Sequence, residues 1–335
     1  MPKIQLGGIK ILEGRSYAAW SCEKGANALA DICSHMAAER INLSQVTHIV
    51  DDGRGLSSIS LCTESGGSFT GHLLLKLDTG IAPQLRHDTT IVSVFPHDRR
   101  PRVMGALLEL MGRDDMHALV IASSPSAMSI VVPSEHMKAT IEGIFSAFEF
   151  PAYGSPLKWE TAYVGKEQLF RDVVGSYEEQ DIKVYAVLDQ PGLDLWALIL
   201  NRRELTQMGP ALREVDGLQT KIPFLVADCS HLEKVLLSFC LPASQRKPVS
   251  KALDAHLPHT ARSLQDAAGV FFHGPHFGDR YRIAGTLTES MQAAGIHPLA
   301  LSCAVHSISV ILKARDLPHG LQVIKTKFHV PTDNN

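Results

Sequence analysis

Apolar and polar residues follow two periods along this chain, alternating stretches of the two-residue period of a strand and the three-to-four-residue period of a helix. A strand-like "SYAAWSC" precedes a helical pattern from about Ala26 to Glu39, whose apolar face is Leu29, Ile32, Cys33 and Met36. Two strand-like runs follow, "INLSQVTHIV" and "LSSISLCT", separated by "DDGRG", a glycine-containing turn suited to a hairpin. A short helix, "SFTGHLLLKL", closes the unit.

The same order recurs. The second unit has the strand "TTIVSVF", the loop "PHDRRP", a helix with Val103, Leu107, Leu110 and Met111 on one face, the strands "MHALVIAS" and "AMSIVV", and the helix "HMKATIEGIFSAF". The third has "WETAYVG", a helix with Leu169, Phe170, Val173, Val174 and Tyr177 inward, "IKVYAVL" and "LWALIL" around the turn "DQPG", and a helix near 203–215. The fourth has "AGVFFHG", a helix with Ile283, Leu287, Met291 and Ala294 inward, "HPLALSC", "SISVILK" and "HGLQVIKTKF". Between the third and fourth lies a stretch that does not repeat: a strand-like "KIPFLVADC", a helix-like "SHLEKVLLSFC", and a polar segment at 242–263 that reads as linker plus short helix. Each unit predicts an antiparallel sheet with helices on one face, too small to bury much core alone, so that units are expected to pair.

Composition narrows the function classes. The chain has 335 residues, 45% of them hydrophobic and 20% charged, with a formal charge of −3. No basic stripe marks a nucleic-acid partner, and no apolar run approaches the ~18 residues of a membrane span. The start, "MPKIQLGGIKILEG", lacks the features of a signal peptide, so a cytoplasmic location is expected. Cys22, Cys33, Cys62, Cys229, Cys240 and Cys303 form no CxxC pair and read as small buried hydrophobes. There is no GxxxxGK[ST] and no GxGxxG after a strand.

The recurring βαββα order with a closing strand resembles the ACT domain, a ferredoxin-like βαββαβ module that binds small ligands, commonly amino acids. Residues 8–151 are similar to the paired ACT modules at the regulatory end of aspartokinases, through "GIKILEGRSYAAWSC", "INLSQVTHIV…SSISL" and "TTIVSVFPHD…VMGALLELM…AMSIVV…ATIEGIFSAFEFP". The resemblance implies an α+β fold of four ferredoxin-like ACT-like modules with antiparallel sheets, arranged as two pairs. Module 1 spans 1–82, with 1–14 supplying the strand that closes module 2; module 2 spans 83–151, module 3 spans 152–218, an extra strand, helix and linker span 219–264, and module 4 spans 265–332. Aspartokinases carry an N-terminal catalytic lobe with a Lys-Phe-Gly-Gly start, so the resemblance implies regulatory modules without the kinase domain and no enzyme activity in this chain.

The expected function is that of a non-catalytic regulatory protein sensing an amino acid at module interfaces, as a homodimer formed by sheet pairing. An alternative is an interaction subunit that regulates a separate enzyme without binding a ligand. A further one is a metal-dependent enzyme built on the "HGPH" loop.

The candidate residues lie where strands turn into helices. In "VFFHGPHFGDRY", Gly274 and Gly278 lead into a helix beginning near Arg280, whose free backbone N–H groups favour an anion such as a carboxylate. His276 and Gly278 share that loop, and Asp279 either takes an ammonium group or caps its own helix. A metal on His273, His276 and Asp279 would need a further ligand, from His297 or His306, and lacks helical HExxH spacing; no metal and no cofactor are expected. In the first unit Glu23, Gly25, Ala26 and Asn27 stand at the equivalent helix start. The resemblance implies that this loop lines a ligand site with the strand carrying Asn42, Ser44 and Gln45. Asn42 and Gln45 are polar in an apolar run, so they serve either a ligand or an interface hydrogen bond.

Overall fold

The computed structural model describes residues 3–23, 28–51, 55–64, 82–153, 182, 184–230, 234–274, 282–304 and 307–328. Among these residues the strands are β1 (Ile4–Gln5), β2 (Gly8–Glu23), β3 (Leu43–Asp51), β4 (Leu56–Thr63), β5 (Gln84–Phe95), β6 (Val120–Ser123), β7 (Met128–Pro133), β8 (Phe148–Glu149), β9 (Ala186–Leu200), β10 (Leu225–Asp228), β11 (Val235–Pro242), β12 (Ala261–His273), β13 (Ala300–Ala304) and β14 (Ser307–Lys313). The α-helices are α1 (Ala28–Ala38), α2 (Pro101–Met111), α3 (Met137–Ala147), α4 (Met208–Asp216), α5 (Arg246–His256), α6 (Ile283–Ala293) and α7 (Leu317–Lys327).

Four strands far exceed the usual five or six residues: β2, β5, β9 and β12 have 16, 12, 15 and 13. Their length decides the architecture, because each runs past one strand–helix–strand–strand group into the next. β2 pairs with β5 and β9 with β12 along both halves of their length. The result is one antiparallel ladder in the order β10-β11-β9-β12-β14-β13-β3-β4-β2-β5-β7-β6, closed into a barrel by pairing of β6 with β10. β1 and β8 form a separate parallel pair.

The expectation of four small ferredoxin-like modules, each with its own sheet, arranged as two pairs, does not hold. Twelve strands share one closed ladder, and the shared long strands remove the edges at which separate modules would end. The stretch 219–264 is likewise part of the barrel. It supplies β10, β11, α5 and the start of β12, and the helix-like "SHLEKVLLSFC" contributes β11 instead, paired with both β10 and β9. Here β-sheet pairing on two sides overrides a local pattern that fits either period.

"DQPG", expected to be a hairpin turn, lies inside β9. The ladder to β12 skips a step between Leu193/Ala267 and Gln190/Gly269, and Gly192 takes φ +68° in this irregularity. Pro191, which has no N–H, and Gly192, which tolerates positive φ, thus make a bulge that bends a long strand without ending it. β2 does the same at Gly14, φ +64°, beside its own register shifts. "WETAYVG", the helix carrying Leu169 to Tyr177 and "SFTGHLLLKL" lie outside the described residues.

The strand period places alternate residues inside and outside the barrel. Ile49, Ile91, Val131, Leu195, Phe271 and Ile311 pack inside, together with hydroxyl pairs such as Thr47–Ser60 (2.7 Å) and Ser93–Ser129 (2.8 Å). Outside, one helical layer buries Val103, Leu107, Leu110 and Met111 with Leu212, Val215, Val249 and Leu253. The other buries Leu29, Ile32, Cys33 and Met36 with Ile283, Leu287 and Met291. Helices α2 and α4 approach closely at Gly105, where a Cβ would stand 2.9 Å from Leu212 Cβ and 3.2 Å from Gly209 O.

Candidate functional site

The ladder register locates those candidate residues that fall among the described ones. Glu23 ends β2 opposite Leu56, which pairs with Asp51 at the end of β3. Asn42 precedes β3 at its other end, so Glu23 and Asn42 are separated by nine residues of extended chain, roughly 30 Å. No amino-acid-sized ligand touches both in one unit. Gln45 is 1% exposed on the barrel's inner face, and its Oε1 and Nε2 find no hydrogen-bond partner among the described residues. Gly25, Ala26, Asn27, His276, Gly278, Asp279 and Arg280 lie outside the described residues. So do His276, Asp279 and His306 of the metal reading; among the described residues no group of three His, Cys, Asp or Glu side chains could hold a metal ion.

Gln45 leads to a second place. Its ladder partner on β4 is Cys62, whose partner on β2 is Tyr17, whose partner on β5 is Arg86. Directly paired residues share a face, so Gln45, Cys62 and Tyr17 form one row along the inner wall, ending at the barrel mouth. There a cavity of about 230 Å³ opens, lined by Tyr17 and Arg86, by His117 just before β6, by His136 after β7, and by Arg202 and Ser230.

The strand ends fix these groups. Arg202 follows β9 and donates from Nη1 to Met116 O (3.0 Å) and from Nη2 to Cys229 O (3.4 Å), which holds its guanidinium across the seam between β6 and β10. Arg86 forms an ion pair with Glu135, both half-exposed. The His117 and His136 rings lie tilted against each other by 34°, with centroids 3.9 Å apart. Burial foremost, then the neighbouring His136, Arg202 and Arg86, lower the His117 pKa.

Tyr17 is 3% exposed. Its hydroxyl lies beside those of Ser60 and Ser230, yet neither it nor Ser230 Oγ has a partner in hydrogen-bond geometry among the described residues. Burial, then the charge of Asp228 and the nearby Cys62, push the Tyr17 phenol well above its ordinary range, so it keeps its proton and remains a donor. Asp228, buried inside the barrel near Tyr17, accepts from Ser58 Oγ and from the Ser230 backbone N–H at 2.9 Å. No carboxylate is among the described residues lining the cavity. The arrangement offers guanidinium, imidazole and hydroxyl donors, which is chemistry for holding an anion.

These residues come from six separated stretches of chain and form no local motif. Their only signal in the sequence is a cluster such as "QLRHDT", which reads equally well as a closing strand.

The overall fold has a counterpart among solved structures. An aspartate kinase from Synechocystis superposes with a TM-score of 0.74 over 98% of this chain, at 10% identity; the match spans 57% of that kinase's length. The regulatory subunit of aspartate kinase from Thermus thermophilus, in its ligand-free form, covers 44% of this chain at 14% identity with a TM-score of 0.40. That from Thermus flavus covers 43% at 18% identity and 0.37. At such scores neither of the latter two bears on the fold. No protein-family profile matches the chain, and no curated protein matches it.

The first of these matches overturns several expectations together. Regulatory ACT modules lacking a kinase domain, a non-catalytic amino-acid sensor and a purely structural subunit give way, because the structure that superposes on nearly the whole chain is an aspartate kinase. The coarser likeness, aspartokinase-like, stands.

Proposed function

We propose that this chain works in an enzyme of the aspartate kinase type, one that transfers a phosphoryl group from a nucleotide to an amino-acid carboxylate. The observation that carries the proposal is the superposition on the Synechocystis aspartate kinase over 98% of the chain. Because the match spans 57% of that kinase and this sequence contains neither glycine-rich phosphate loop named above, the activity is assigned to the whole enzyme in which the barrel sits.

Two observations support an amino-acid ligand for the barrel within that enzyme. The buried Gln45 amide has no partner among the described residues, and the mouth of the same row is rich in donors for an anion. A cytosolic setting, with six buried free thiols, belongs to the same proposal; no described helix is long and apolar enough to cross a membrane.

The test is nucleotide turnover by the protein purified from its own host. ADP release from ATP that depends on L-aspartate is expected. Turnover no higher with aspartate than without it would sink the proposal.

A further inference from the structure

The geometry points to the barrel-mouth cavity as a binding site for a small oxyanion, the shared chemistry of a phosphate or carboxylate group. Arg86 and Arg202 bring two guanidiniums to one cavity, His117 and His136 add an imidazole pair, and Tyr17 and Ser230 add hydroxyls with no partner among the described residues. Guanidinium forks match planar or tetrahedral oxyanions, and buried hydroxyl donors gain most from a charged acceptor.

Among the described residues Asp115 acts on His117, and two further carboxylates stand near without filling the site. Asp228 is not among the lining residues described and already accepts from Ser58 and the Ser230 amide. Glu135 sits at the exposed rim and pairs with Arg86, so it occupies the guanidinium as an incoming anion would and competes with it. Arg202, held by the Met116 and Cys229 carbonyls, is already oriented, which lowers the entropy cost of binding. The cavity, about 230 Å³, is below the usual range for drug-sized ligands and suits one oxyanion on a small body.

This inference goes beyond the kinase proposal and is measured without catalysis. The full chain is titrated calorimetrically with inorganic phosphate and, separately, with succinate at constant ionic strength. Saturable binding of at least one is expected, and which one binds identifies the group recognised. Arg86→Gln should weaken that binding at least tenfold, and Glu135→Gln should tighten it several-fold by removing the competitor. Arg315→Gln, far along the chain on an exposed turn, should leave it unchanged, and circular dichroism should show all three variants folded. No saturable heat from either anion, or Arg86→Gln and Glu135→Gln both binding as the unaltered protein does, overturns the assignment. A protein that binds phosphate here yet shows no aspartate-dependent ADP release upholds the cavity while sinking the kinase proposal.

Discussion

Ser58 on β4 donates its hydroxyl to the buried carboxylate of Asp228 on β10, reaching between strands that are not ladder neighbours. Backbone pairing closes the ring, and this bond ties two walls of it together through the interior. Asp228, 2% exposed, has one other donor among the described residues, the Ser230 amide at 2.9 Å. Ser58→Ala leaves part of a buried charge unsatisfied, a loss of about 1–3 kcal/mol. Urea unfolding should show it. The same substitution in an Asp228→Asn background should cost less, since a neutral amide asks less of its donor.

Two buried histidines make stability depend on pH. Burial lowers both His48 and His97 from 6.5 to about 4. His97 is held neutral by geometry as well: Nε2 meets Ser124 O at 2.8 Å, and Nδ1 accepts from the Arg99 amide at 2.8 Å, so a second ring proton would displace that amide. Above pH 6.5 neither folded nor unfolded rings carry the extra proton, and stability is full. Between 6.5 and about 4 the unfolded chain takes up protons that the folded chain refuses, and stability falls by on the order of 3 kcal/mol per ring. Below 4 the loss levels off. His48→Leu should flatten the dependence of the melting temperature on pH across that window; an unchanged slope would show that His48 does not titrate as its burial requires.

The helix faces were readable because burial and the 3.6-residue period ask for the same residues. Leu29, Ile32 and Met36, and Val103, Leu107 and Met111, all lie in the helical cores. The barrel was not readable, because Gly14 and Gly192 mark turns and bulges alike, and only the partner strand decides between them. "DQPG" therefore looked like the end of a strand that continues for eight more residues, Leu193–Leu200. Of the candidate site, Gln45 stood out as a polar residue in an apolar run. Tyr17, Arg86 and Arg202 had no such signal, since each is ordinary in its own segment and they meet only when β2, β5 and the chain after β9 converge.

Close helix approach makes Gly105 sensitive. Alanine is the better helix former by about 1 kcal/mol, but a Cβ there meets Leu212 Cβ at 2.9 Å and the carbonyls of Gly209 and Met208 at 3.2 and 3.3 Å. Two of these contacts are backbone and cannot rotate away. Gly105→Ala should therefore destabilise by about 1–3 kcal/mol, the usual cost of overpacking. A variant as stable as the parent in thermal denaturation would mean that α2 and α4 slide apart freely.

The thiols should be silent until the barrel opens. All six cysteines are free and buried, and burial pushes Cys33, Cys229 and Cys303 up to about 12. A thiol reacts as its thiolate, which is scarce at such values. A thiol-specific reagent at pH 8 should label less than one equivalent in the native protein and six after denaturation.

Charge pairing on β9 sets the last expectation. Asp194 has no exposed surface, and Arg246 on α5 forks across it, Nε to Oδ2 at 2.8 Å and Nη2 to Oδ1 at 2.6 Å. The same Nη2 reaches Asp266, the cross-strand partner of Asp194, at 2.8 Å. One guanidinium therefore separates two carboxylates that would otherwise repel each other across the β9–β12 ladder. Arg246→Met removes the bridge and leaves a buried carboxylate beside a second negative charge, so it should lower the melting temperature more than Arg246→Met combined with Asp194→Leu. The opposite order would mean that Asp194 draws its compensation from elsewhere, and that α5 is held to the barrel by Val249 and Leu253 alone.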